Sequence, residues 1–284
     1  MIHLSNSDLT LDLLDPDMDR TRLGSRYCWG GYIWQVHDAR VGPLVRGPEW
    51  PDQRPNPFNG QGLPESFRFR TLDGTPLTWD GLQGIAIGGG TLSTSAPDAV
   101  DVAEPCVWEL TYHDSRLVYR TQQTALGYNY QLVREVKLED RTVVSVTQLT
   151  NRNAQPLSIE WFPHPFFALT DGLIQTEVPE GCTLPENPGF SLAGNHLNSK
   201  KRFVGIRDGH MNFLKLPPGK TLRARISHPH LTHVEFETSY VPSQCPIWAN
   251  GLTFSIEPYL AHTLAPGETL QWSVRTAFGP PRTD

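Results

Sequence analysis

The sequence predicts an all-β fold of antiparallel strands, on two observations. Apolar and polar residues alternate along stretch after stretch of the chain, which is the period of a strand whose two faces meet different surroundings. Turn signals punctuate these stretches, and few windows carry the i, i+3, i+4 apolar stripe of a helix.

Taken in order, the first alternating run is Arg26 to Val36. Residues 42 to 66 then break the pattern, because Pro43, Pro48, Pro51, Pro55, Pro57 and Pro64 remove the donors a strand ladder needs. A loop of that length inside a compact domain is functional or disordered, and Trp50, Phe58 and Phe67 favour an ordered, packed one. Turns at Asp73-Gly74 and Asp80-Gly81 precede four runs, Cys106 to Tyr112, Leu117 to Thr124, Tyr128 to Leu138 and Thr142 to Leu149. After the polar turn Asn151 to Asn153 comes Ser158 to Phe162, and after Asp171-Gly172 a second irregular connection, residues 178 to 202. The remaining runs are Thr221 to Ile226, His233 to Thr238, Leu252 to Ile256 and Leu270 to Ala277, with turns at Asp208-Gly209, Pro217-Pro218-Gly219 and Pro266-Gly267. So many strands without interleaved helices argue for a sandwich or stacked-sheet architecture. Strands continue on both sides of each irregular connection, so a single domain over residues 1–284 is expected.

Hydrophobic residues at 38% and charged residues at 19%, with 24 Gly and 25 Pro in no short repeat, give a globular, turn-rich composition rather than a disordered or collagenous one. The formal charge is −6, from 24 basic and 30 acidic side chains, and the basic ones are scattered. Nucleic acid is therefore not an expected partner, since its binding rests on clustered positive charge. The N-terminus turns acidic within its first twenty residues and lacks a signal peptide's basic start and apolar centre. No stretch reaches the ~20 apolar residues that span a bilayer. A cytoplasmic protein with no membrane partner, monomeric or homodimeric, is the expectation. Cys28, Cys106, Cys182 and Cys245 lie far apart without zinc-ligand spacing and read as buried apolar residues; no metal or other cofactor is expected.

Three constellations carry possible chemistry. In Trp161-Phe162-Pro163-His164-Pro165-Phe166-Phe167 a histidine is fixed between two prolines beside aromatic rings, on which a sugar ring can stack; the alternative is an aromatic core plug around a satisfied histidine. In Phe254-Ser255-Ile256-Glu257-Pro258-Tyr259, Ser255 and Glu257 point away from the face of Phe254 and Ile256. On a solvent face Glu257 is an ordinary polar residue; in a cleft its carboxylate has a raised pKa and serves as a general base near neutral pH. The third is the long loop with its continuation, where Trp50, Gln61, Arg68 and Arg70 combine aromatic surface with planar hydrogen-bonding groups. The arginines, two apart and on one face of an extended segment, have surface ion pairing as their alternative.

In their order these pieces resemble the aldose 1-epimerase, or galactose mutarotase-like, superfamily. The resemblance rests on Leu149-Thr150-Asn151, then His164-Pro165-Phe166-Phe167, then Ile256-Glu257-Pro258 and Leu264-Ala265-Pro266-Gly267-Glu268, running over most of the chain. It implies a supersandwich of large antiparallel sheets, a small-molecule sugar as partner, and isomerase activity as an aldose 1-epimerase. It also implies that His164 is the general acid and Glu257 the general base of ring opening. Substrate binding would fall to Gln61, where the family commonly has a histidine, to an arginine among Arg46, Arg68 and Arg70, to Asp208, and to the aromatic residues Trp50 and Phe166. Asp208-Gly209 is equally an ordinary turn.

A non-catalytic sugar-binding protein of the same fold is the alternative: the acid and base together favour the enzyme, and a glutamine that cannot carry a proton favours the binder or a changed substrate. Glycoside cleavage would need paired carboxylates, for which Glu49, Glu65 and Glu257 are the candidates. Two geometric expectations follow. The 42–70 segment should wall the cleft, with Gln61 or Arg68 and Arg70 within a side-chain's length of His164. His164 and Glu257 should face each other without touching.

Overall fold

The computed structural model describes residues 1–52, 54–96 and 99–283, with no side-chain account of residues 95, 96 and 99. Antiparallel β-strands dominate it, and the single helical element among the described residues is a 3₁₀ turn at Arg20–Arg22. No helix of the described residues is long and apolar enough to cross a membrane.

A ten-stranded sheet forms the body of the molecule. At its centre Tyr128–Glu139 pairs with Thr142–Asn151, and Thr142–Asn151 with Thr269–Phe278, in unbroken antiparallel register. The strict alternation is what makes this register stable: along Tyr128–Glu139 every second residue is buried, so a slip by one would expose the whole apolar set. Arg116–Ala125 and Glu109–His113 extend one side; Val234–Thr238, Arg223–Ile226, Gln175–Glu177 and the hairpin Phe190–Ala193/His196–Ser199 extend the other. That hairpin falls within the connection expected to be irregular, residues 178 to 202. Its strands are four residues each and flank a turn at Gly194, too short to leave a period in the sequence.

Two smaller sheets carry the residues of interest. In one, Leu157–Pro163 lies between Leu260–Leu264 and Glu65–Arg68. In the other, Thr253–Ile256 lies between Phe167–Ala168 and Cys245–Ala249, with His210–Leu214 beyond. Aromatic residues fill the space beneath them: Trp161, Phe166, Phe167 and Phe254 are all buried, each contributing about 2–3 kcal/mol of burial. All four cysteines are buried and unpaired. The first alternating run is strand only over Ile33–Asp38; the stretch from Arg26 is an irregular segment joined to Ser66 by a bridge at Tyr27.

Candidate functional site

His164 stands where the chain leaves Leu157–Pro163 and turns toward Phe167–Ala168. Two prolines deprive this turn of donors, and the backbone groups that remain are bonded to the long loop. His164 N donates to Pro64 O at 2.9 Å, Phe166 N to Gly62 O at 2.8 Å, and Arg46 N to Phe166 O at 2.8 Å. Gly62 makes the close approach feasible: with φ at 80°, a Cβ there would fall 2.3 Å from Ile33 O. The backbone that carries the histidine is therefore held by the loop expected to wall the cleft.

Glu257 ends the strand Thr253–Ile256, and its N–H donates to Pro246 O at 2.8 Å. Both faces of that strand are covered, so the solvent-face alternative for Glu257 does not hold; the residue is 6% exposed and His164 3%. His164 Nε2 and Glu257 Oε1 are 3.3 Å apart. The expectation that they would face each other without touching thus differs from the structure. Among the rings of Tyr27, Phe162 and Phe166, burial draws the two polar groups to each other and to the few polar side chains beside them.

Arg26 completes the group. Its Nη2 lies 2.9 Å from His164 Nε2, and its Nη1 donates to Phe58 O at 3.2 Å. A guanidinium only donates, so Nε2 accepts and the imidazole proton sits on Nδ1, 3.2 Å from Ser255 Oγ. Burial, and after it the Arg26 charge, hold the His164 pKa well below its ordinary value. Burial pushes Glu257 up to about 7, against the opposing pull of Arg26 and of the Ser255 hydroxyl. A histidine kept neutral thus faces a carboxyl group that titrates near neutrality.

Above the pair lies a hollow of about 420 Å³, a size that suits a small ligand. Pro48, Glu49 and Asn59 of the long loop form one side of it, Trp248 and Met211 another, and Arg68 and Tyr259 a third. Glu49 is tied down locally by the Asn59 side chain and by Asn56 N at 2.9 Å. Glu65 faces the core and bonds Arg134, Ser145 and Trp161. Among the described residues no cluster of three or more His, Cys, Asp or Glu is placed to hold a metal ion.

The structure therefore brings His164, Glu257, Phe166 and Arg68 to one hollow and leaves five other sequence candidates, Gln61, Arg46, Arg70, Trp50 and Asp208, off its lining. The Gln61 side chain turns inward toward Trp34 O, and its N–H donates to Tyr32 Oη at 3.1 Å. Arg70 lies over the Trp79 ring, with 5.7 Å from its guanidinium carbon to the ring centroid. Trp50 is covered by Arg46 at 4.8 Å. Asp208 pairs with Lys201 at 2.6 Å and accepts from Val204 N, which is the turn role. Arg26 is the residue sequence reasoning missed: it belongs to no motif, and its place at the start of the first alternating run is the one signal the sequence carries for it.

Comparison with solved structures gives matches along the whole chain. The chain is similar to a galactose mutarotase-like protein from Lactobacillus casei, at TM-score 0.66 and 16% identity over 98% of this chain and 99% of that one. A galactose mutarotase related enzyme from Lactobacillus acidophilus matches at TM-score 0.63 and 12% identity over 100% and 98%. A galactose mutarotase-like protein from Clostridium acetobutylicum matches at 0.59 and 14% over 98% and 94%. No protein-family model matches the chain, and no curated protein matches it in sequence. At these identities the likeness speaks for architecture: the chain has the galactose mutarotase-like fold.

Proposed function

We propose that the chain is an aldose 1-epimerase, interconverting the anomers of a sugar held in the hollow over His164 and Glu257. The observation that carries this reading is the buried pair itself, a neutral imidazole 3.3 Å from a carboxyl group whose pKa burial lifts to about 7. Taking a proton from one sugar oxygen and giving one to another needs two groups that exchange protons near pH 7.

In the proposed reaction the C1–O5 bond of the pyranose breaks. With the mobile proton of the pair first passed from Glu257 to His164 Nε2, the Glu257 carboxylate takes the proton of the anomeric hydroxyl, His164 gives its Nε2 proton to O5, and the product is the open-chain aldehyde. Rotation about C1–C2 turns the other face of the aldehyde to O5. Closure then returns the O5 proton to His164 and the Glu257 proton to O1, so atoms and charges balance over the cycle. The pair holds one mobile proton throughout, and the contact between Nε2 and Oε1 lets that proton pass directly between the partners when no sugar separates them. With Nε2 bare and facing Arg26, the imidazole proton on Nδ1 is not the one transferred. Arg26 is a positioning residue that orients the ring and opposes a positive imidazole.

Anomer exchange measured by NMR across a panel of aldoses tests this reading. Acceleration of exchange for at least one sugar is the expected result. A protein that binds an aldose and accelerates exchange for none would instead be a sugar-binding protein of the same fold.

A further inference from the structure

Next to the catalytic hollow is a larger one, of about 980 Å³, that the proposed reaction does not use. The two share Arg26, Arg68, Leu72 and Tyr259 as a common wall, so they form one groove with a constriction. Phe58, Phe69, Arg70, Asn56 and Thr71 line the larger hollow alone. Its chemistry is mixed: the Phe58 ring is 58% exposed and Leu72 42%, and guanidinium, amide and hydroxyl groups line the same hollow. A sugar ring has the matching surface, apolar C–H faces with a rim of hydroxyls. The exposed Phe58 ring is a platform for the face, and Arg70, Asn56 and Thr71 are partners for the rim.

On the epimerase reading, we infer that this larger hollow is a second sugar subsite, and that the substrate is a reducing disaccharide whose free anomeric carbon lies over His164 and Glu257. The glycosyl substituent passes over the Arg68–Tyr259 contact into the larger hollow, with Phe58 as its platform. A lone monosaccharide fits within the 420 Å³ hollow and leaves the larger one to water.

The test compares glucose with its reducing disaccharides maltose and isomaltose, using NMR exchange to obtain kcat/KM in the wild type and in Arg70→Ala. Arg70 is exposed, lines only the larger hollow, and the backbone carbonyl through which it holds Arg68 survives the substitution. At least one disaccharide is expected to exceed glucose in kcat/KM. Arg70→Ala is expected to lower that value about tenfold, the loss of one charge-assisted hydrogen bond, with glucose unchanged within about twofold. Phe58→Ala, whose exposed ring lines only the larger hollow and whose backbone carbonyl to Arg26 survives the change, gives a second reading should Arg70→Ala fold poorly: its effect is expected to be larger on the disaccharide than on glucose. Disaccharides all turned over more slowly than glucose, or variants that affect both substrates equally, would overturn the inference while leaving the epimerase reading standing. If no aldose exchanges faster, the epimerase reading fails, and affinities from NMR titration of the same sugars and variants decide the subsite separately. Equal affinity for glucose and the disaccharides would then overturn it.

Discussion

Glu65 and Glu257 are both buried carboxylates, 2% and 6% exposed, and both adjoin the Pro163–His164 turn. Glu65 pairs across the sheet with Pro163, and Glu257 meets the His164 ring. Their partners divide them. Glu65 is bonded by Arg134, by Ser145 Oγ at 2.6 Å and by Trp161 Nε1 at 2.6 Å, a closed set that compensates its charge. Glu257 has a neutral imidazole at its face, and Arg26 spends its hydrogen bonds on His164 and Phe58. Burial therefore lifts the Glu257 pKa to about 7, which suits the proton carrier that the proposed reaction needs. Burial alone does not decide a carboxyl group's pKa; burial without a committed cation raises it.

The same change, Glu to Gln, at the two positions breaks or sharpens this contrast. The largest effect is expected in turnover: Glu257→Gln keeps the shape and removes the proton carrier, lowering the anomer-exchange rate by ~10²–10⁴-fold, and His164→Asn does likewise. Either variant at full activity would mean that the residue was wrongly assigned. In stability the larger effect moves to the other site. Glu65→Gln leaves the Arg134 guanidinium buried without its counter-charge, and a loss of about 3–5 kcal/mol is expected from denaturant unfolding.

Glu257→Gln is expected to have the opposite sign. A carboxyl raised from 4.5 to about 7 keeps its proton in the folded protein after the unfolded chain has lost it. Wild-type stability should therefore fall as pH rises from about 4.5 through 7, by on the order of 3 kcal/mol, and Glu257→Gln should recover that amount at pH 8 and little at pH 4. A variant less stable than wild type at pH 8 would contradict the view that this charge is buried uncompensated. The smallest effect belongs to Arg26→Gln. Arg26 favours the carboxylate form of Glu257, so without it the pKa rises further and the alkaline limb of the rate profile moves up by about one pH unit.

Much of this fold was legible in the sequence because its central strands are long and half-buried on one face, which enforces strict alternation in Tyr128–Glu139 and Thr142–Asn151. His164 and Glu257 were legible because each is bound to a proline at a strand end, an arrangement local enough to be written in a few letters. Arg26 was not. It reaches His164 only because the long loop folds back, placing Phe58 O and Ser66 against residues some 30 to 40 positions earlier, a long-range contact with no local period. Gln61 misled for the converse reason: its composition suits a sugar, while the glycines on either side, both at positive φ, turn its side chain into the core. Asp208 shows the same limit, since Asp-Gly serves a turn and a ligand equally well until the neighbouring Lys201 is seen.

The central claim, that His164 and Glu257 share one mobile proton, is tested most directly by the pH dependence of kcat/KM for anomer exchange on any aldose the wild type accepts. The singly protonated pair persists from the depressed pKa of His164 up to that of Glu257 at about 7. The predicted profile is level on the acid side of neutrality and falls above about pH 7 as the last proton leaves Glu257. A rate that instead rises through pH 7 would mean that the deprotonated carboxylate works with an acid other than His164, and would contradict the account.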